Sequence, residues 1–574
     1  MWKWLFIVVL FFSATCSDAA DWLFKDGRSD YQIVVSDKAH ESEKAAAKEL
    51  QEYIQQISGV QLPIGNNPSQ TGKNVFVGFT PYTASLLKVE IPADTSETFT
   101  YRTLDDNLFI YGGRNIGTAY GVFSFLEQQL GVHWYAADFT KVPRMRTFRL
   151  RQLNHTESPA FRYRHVLYYQ MMWNPLLCVH NLQNMGAWPM SCGNYGTLHS
   201  LWETHTFSLL LPPDEFFDKH PEYYSLHQGK RIRDGQLCLS NPEVLMLLTE
   251  RMVDVVKKDS KYMAYSLAQN DNNLYCECAS CHKLVQRYGS QAGLLLWAVN
   301  QVADKIDKQL PGTNLITLAY QYTRKAPKGI RPRSNVFIRL CDIECCFLHP
   351  IEKSSENQAF TSDLKEWSRL TDHVFIFDYI TGFLQYTSPF PNFSVLSPNL
   401  QTFASHHVAG VMETGQYESD GGEWAELKQW ISAKLLWNPH QDVDALARQF
   451  IGDYYGQAAP FVLRYYRQCC SLVKSDTHAL FSNRHDNPMF TDQFVDNSLT
   501  LLEQALEECK TDSAVTRRVE HLLLQPLFLQ MMRQPAKAAV KGNIKRYMHI
   551  IRRDKVRMRE GTPSEETLRE QGYI

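Results

Sequence analysis

Two periodicities alternate along the first third of the chain. Residues 31–35 form a β-rich run, whereas 40–59 repeats apolar side chains at helical spacing through Ala45, Ala46, Leu50, Tyr53, Ile54 and Ile57 before Gly59 ends the pattern. Short strands are predicted at 74–78, 99–103 and 107–111, and a second helix over 115–130 closed by Gly131. This set predicts an α+β domain. From Phe161 onward strand-like runs recur at 162–169, 204–211, 236–239, 262–268, 315–320, 335–340, 373–377 and 408–412, with helical patterns such as 242–258 and 290–310 between them. That repeat, over about 260 residues, predicts an α/β fold centred on a (β/α)8 barrel. A doubly wound open sheet is the alternative, but no glycine-rich dinucleotide fingerprint follows the first strand. Beyond Glu423 strand alternation stops and helices are predicted at 424–436, 443–455, 460–473, 494–510 and 513–532. The expected organisation is a leader over 1–20, an α+β domain over 21–155, the barrel over 156–440 and a helical extension over 441–574.

The leader is read from Lys3 followed by the apolar run 5–12 and the small residues Ser13, Ala14, Ala19 and Ala20, the pattern of a secretory signal peptide. Export to the periplasm or cell surface is therefore expected, by cleavage after Ala19 or Ala20 or with Cys16 as a lipidated first residue. No later stretch approaches the ~20 apolar residues of a membrane helix. Lys plus Arg total 59 and Asp plus Glu 61, a net charge of -2 that leaves no global footprint for nucleic acid. The basic residues Lys537, Lys541, Lys545 and Arg546 read as one solvated helix face. With 12 Trp, 28 Tyr and 31 Phe, the chain is rich in rings that fill a large core and also suit sugar-binding clefts.

Barrel active sites collect at the carboxyl ends of strands, which directs attention to polar residues that follow apolar runs. Asn270 and Asp271 follow 263–268, Asp342 follows 337–340, Asp378 and Tyr379 follow 375–377, and Glu413 follows 410–412. Asp and Asn also cap helices and form turns at such junctions, and Asp342 is read that way; Glu413 is a poor cap behind a wholly apolar run. Two facing carboxylates supply the acid and the charged partner that glycoside hydrolysis needs, so Asp271 and Glu413 are the expected catalytic pair. Asn270, Trp173, Trp202, Asp378, Tyr379 and Tyr417 are expected to line the substrate cleft. Cys276-x-Cys278-x-x-Cys281 reads as disulfides or buried thiols, and half a zinc site, which its tight thiol spacing also suits, is the alternative. No cofactor and no catalytic metal are expected.

The stretch from Leu108 to Arg114, with 117–127 and 130–135, resembles the amino-terminal domain of family 67 α-glucuronidases and several hexosaminidases. Asn270-Asp271 with the 276–281 cysteines, Leu436-Trp437-Asn438-Pro439 with Asp442, and Phe450 to Gly456 resemble the domain of unknown function numbered 4838, found in exported Bacteroidetes proteins and in glycoside hydrolase family 163. The resemblance implies a retaining β-N-acetylglucosaminidase-like hydrolase acting on N-glycans or related oligosaccharides. In the related hexosaminidases an acidic pair after the fourth strand orients the acetamido group and protonates the leaving oxygen. Here the matching pair is Asn270-Asp271, which leaves Asp271 the acid role and gives Asn270 a hydrogen-bonding one. A silent glycan-binding protein using the same cleft, or a metal-dependent hydrolase at the cysteine cluster, are the alternatives.

Overall fold

The computed structural model describes residues 22–70, 72–90, 92–480, 485–570 and 572. The leader expected over 1–20, with Cys16, lies outside them. The chain divides into two compact units, one from residues up to 132 with 142–158, the other from 133–141 with 159 onward.

The first unit holds a six-stranded sheet in the order Asn154–Glu157, Phe99–Leu104, Asn107–Gly112, Asn74–Val77, Gln32–Val35, Ile64–Gly65; its first two pairings are antiparallel and the rest parallel. Helices Glu41–Ser58 and Gly117–Gln128 pack against it. The first starts where the His40 ring accepts from the Ser42 amide and Glu43 accepts from the His40 N–H (2.9 Å), and it stops at Gly59, whose φ of 79° favours glycine. Its apolar stripe, Ala46, Leu50, Ile54 and Ile57, is fully buried.

The second unit is built on a curled, seven-stranded, wholly parallel sheet. Its order is Tyr163–Leu167, Gly410–Thr414, Val374–Tyr379, Val336–Cys341, Leu315–Ala319, Ala264–Ser266, Leu201–Trp202, so the first strand in the chain lies beside the last. Residues 184–186 connect the two edges: the Met185 amide donates to Arg164 O (3.2 Å), the Gly186 amide to His199 O (2.9 Å), and the His199 amide to Asn184 O (2.9 Å). Helices including Pro242–Lys258, Gln291–Gln309, Gln358–Leu370 and Phe393–Ser405 cover the outside. The carboxyl-terminal helices from Val443–Tyr455 to Ser564–Glu570 belong to the same compact unit as the sheet.

Two expected strands are absent. Over 204–211 the chain forms the helical turn Phe207–Leu210, because Phe207, Leu210 and Leu211 at helical spacing are all buried by one turn. Residues 236–239 make a single bridge, Tyr224 to Leu237, instead of a strand. The sheet's remaining strand is instead Leu201–Trp202, whose sequence carries little strand signal.

Candidate active site

Strict alternation along the parallel strands sets what faces the inside of the curl. The lowest layer is an apolar plug of Tyr163, Met185, Ala264, Ile316, Phe337 and Phe375. Two residues further along each strand come His165, Leu318, Arg339, Phe377 and Met412, and two further still Leu167, Tyr320, Cys341, Tyr379 and Thr414. These upper layers line a cavity of about 710 Å³ at the carboxyl ends of the strands.

Asp271 lies in this cavity, exposed at its mouth, and accepts a hydrogen bond from the Tyr320 hydroxyl (3.1 Å). That hydroxyl in turn accepts from Gln321 Nε2 (2.8 Å). A second carboxylate comes from far down the chain: Glu560 accepts from the Tyr417 hydroxyl (2.6 Å), and both line the same cavity. Loss of hydration raises the Glu560 carboxyl above its ordinary range against the Tyr417 hydrogen bond, and the charges of Glu418 and Asp271 add to the rise. The segment bearing Glu560 is tied over the sheet by Tyr386 N–H to Met558 O (2.7 Å), Arg557 N–H to Ser419 Oγ (2.8 Å) and Glu560 N–H to Phe383 O (2.9 Å).

Arg339 occupies the middle layer. Its guanidinium donates to Thr204 Oγ1 (3.2 Å), points at Met412 Sδ (3.1 Å) and lies 4.7 Å from the Phe377 ring centroid; none of these partners among the described residues is a carboxylate. Only 6% of Arg339 is exposed. Beside it, burial and the Arg339 charge push His165 down to about 3, so its ring is neutral.

The expected site residues divide. Asp271, Tyr379 and Tyr417 line the cavity. Glu413 and Asp378 do not, and this corrects the expected catalytic pair: they lie one residue out of phase with the cavity-facing Met412, Thr414, Phe377 and Tyr379, so their side chains face away from it. Glu413 is 1% exposed, and with Asp378 and Asp342 it forms a row of buried acids in register across three adjacent strands. Burial raises all three, Asp378 to about 6, and the neighbouring acids hold Asp342 and Glu413 higher still. Asn270 is spent on two neighbouring segments, donating to Gly235 O (2.9 Å) and accepting from the Ser208 amide (2.9 Å). Trp202 packs toward Tyr265 (6.3 Å between centroids), on the face opposite the cavity-lining Leu201. Trp173 is 55% exposed and does not line the cavity, but contacts the cavity-lining Trp188 edge-on at 4.7 Å. Sequence reasoning misses Glu560, Arg339 and His165. A lone charge within the apolar run 336–341 marks Arg339 as an odd member, whereas no local pattern distinguishes Glu560.

A curled parallel sheet with a polar cavity at its strand ends, lined by Glu203, Asp271 and Glu560 among others, defines an α/β protein. Residues 134–467 match the family model described as Domain of unknown function (DUF4838), and the chain belongs to that family. No curated protein matches it. Among solved structures the chain is similar to BtGH115A, a family GH115 4-O-methyl-α-glucuronidase with specificity for decorated arabinogalactans, at 12% identity and a TM-score of 0.56 over 91% of this chain and 77% of that one. This likeness is one of fold. Weaker matches are a GH138 enzyme targeting pectin rhamnogalacturonan II (10% identity, TM-score 0.44, 91% of this chain and 92% of that one) and CpGH84B (12%, 0.46, 94% and 96%). Among the described residues no helix is long and apolar enough to cross a membrane.

Proposed function

We propose that the protein is an exported glycoside hydrolase whose active site is this cavity. The observation that carries the reading is the meeting of Asp271, held by Tyr320, and Glu560, held by Tyr417, in one aromatic-walled cleft at the carboxyl ends of parallel strands. Cleaving a glycosidic bond requires a proton for the leaving oxygen and a carboxylate to stabilise the cationic sugar. Two carboxyls whose charges repel are suited to hold one proton between them. In this reading Glu560, whose carboxyl is raised by burial, delivers the proton and Asp271 is the charged partner. We take the scaffold to be a (β/α)8 barrel in which 184–186 stands for the second strand, supported by its hydrogen bonds to both sheet edges. Lys537 is paired with Asp496 and Arg546 with Glu503, which favours a glycan over a nucleic acid as partner.

The engagement of the Asn270 side chain by Gly235 and Ser208 removes the support for an acetamido-orienting role. Arg339 favours a sugar bearing an acidic substituent, because a buried guanidinium without a carboxylate partner is stabilised by one that the substrate brings. The test is to incubate the chain lacking 1–20 with uronic-acid-bearing oligosaccharides and with β-linked N-acetylglucosaminides, following sugar release by mass spectrometry. Release from the acid-bearing set is expected. Tight binding with no release from any glycan would assign the cleft to a silent binding protein instead.

A further inference from the structure

The cysteine cluster is more complete in space than in sequence. Cys238, 40 positions before Cys278, brings a fourth thiol to Cys276-x-Cys278-x-x-Cys281. The four Sγ atoms all lie within 4.8 Å of one another, with Cys238 3.6 Å from Cys278 and 3.9 Å from Cys281. Four sulfurs placed about 2.3 Å from a tetrahedral zinc ion stand about 3.8 Å apart. Cys238, Cys276 and Cys281 are buried, and none of the four is in a disulfide. The polar groups around them suit thiolates: the Leu226 amide donates to Cys276 Sγ (3.4 Å), the Cys281 amide to Cys278 Sγ (3.5 Å), and the Ser240 hydroxyl lies 3.1 Å from Cys281 Sγ. Cys278 also occupies the N-cap of helix Ala279–Tyr288, so helix start and sulfur placement are one feature.

We propose that these four cysteines bind a structural zinc ion. The site joins the two chain segments that hold the Asp271 loop. Gln236, two residues before Cys238, donates to Asn270 O (2.8 Å) and Asn272 O (2.7 Å) and accepts from the Asn270 amide (2.9 Å). On the far side of Asp271, the Glu277 amide, next to Cys276, donates to Leu226 O (2.7 Å). Metal binding releases the thiol protons and fixes both segments, positioning Asp271 without touching substrate.

A second group, Cys346 with His349, Glu356 and His478, also gathers its ligand atoms within 4.8 Å, so the experiment reads a difference. Metal content is measured by mass spectrometry on the purified wild type, Cys238→Ser and Cys278→Ser, beside X-ray absorption of the wild type at the zinc edge. The wild type is expected to hold one more zinc per chain than either variant, and its absorption to show a shell of four sulfurs at about 2.3 Å. The absorption measurement does not depend on the variants folding. Equal zinc in all three proteins, a wild-type zinc shell without four sulfurs, or peptide mapping that finds the four cysteines in disulfides would overturn the proposal, whatever the protein's activity on glycans.

Discussion

Arg339 and Glu413 show how one position along a strand separates cavity from core. Both follow apolar neighbours in strands buried on both faces, where hydropathy does not alternate and so does not report which side chains point inward. Position after an apolar run is therefore enough to place Asp271, whose strand ends before the loop, and not enough to place Glu413. A buried charge without a partner costs folding free energy, and apolar replacements of such groups are often neutral or stabilising. Arg339→Met is expected to leave the unfolding midpoint unchanged or raised while KM for an acid-bearing substrate rises about tenfold or more, since hydrogen bonds to charged groups contribute about 1.5–3 kcal/mol. Steady-state kinetics on acidic and neutral substrates, with denaturant unfolding alongside, checks it; equal losses on both substrate types would contradict a carboxylate-binding role.

Across elements, the row Asp342, Asp378 and Glu413 depends on register, since parallel pairing sets Asp378 opposite Glu413. Because burial raises these carboxyls in the folded protein, the folded state holds protons that the unfolded state has released near pH 4. Their contribution is fully present below about pH 4 and is lost as pH rises from there through the folded values, the Asp378 share being gone above about 6. Glu413→Gln, which has nothing to ionise, is expected to flatten this dependence and to be more stable than the wild type at pH 8 by on the order of 1–3 kcal/mol. Denaturant unfolding at pH 5 and 8 measures it; a variant destabilised equally at both would show that the carboxyl serves packing instead. At this scale the helices at 40–59, 242–258 and 290–310 are legible from their periodicity and caps. The strand entering at Leu201 is not, because two residues carry no period.

At the scale of the molecule, the cleft is assembled from segments remote in sequence. Asp271 follows Ala264–Ser266, beside the edge strand, whereas Glu560 stands outside the matched region 134–467, on a segment that returns to the sheet through backbone bonds to Phe383 and Tyr386. Long-range closure of this kind leaves no local pattern, which is why half of the candidate site escapes the sequence. Asp271→Asn is expected to lower turnover on every substrate, natural or activated, because it removes the group that stabilises the cationic sugar. Glu560→Gln provides the most direct test of the central claim, that Glu560 protonates the leaving oxygen in this cavity. Turnover is measured on a natural glycan and on its aryl glycoside with a good leaving group, which needs little protonation. The expected result is a loss of roughly 10²–10⁴-fold on the glycan and a much smaller loss on the aryl glycoside. Full activity on the natural glycan, or equal losses on both substrates, would contradict it.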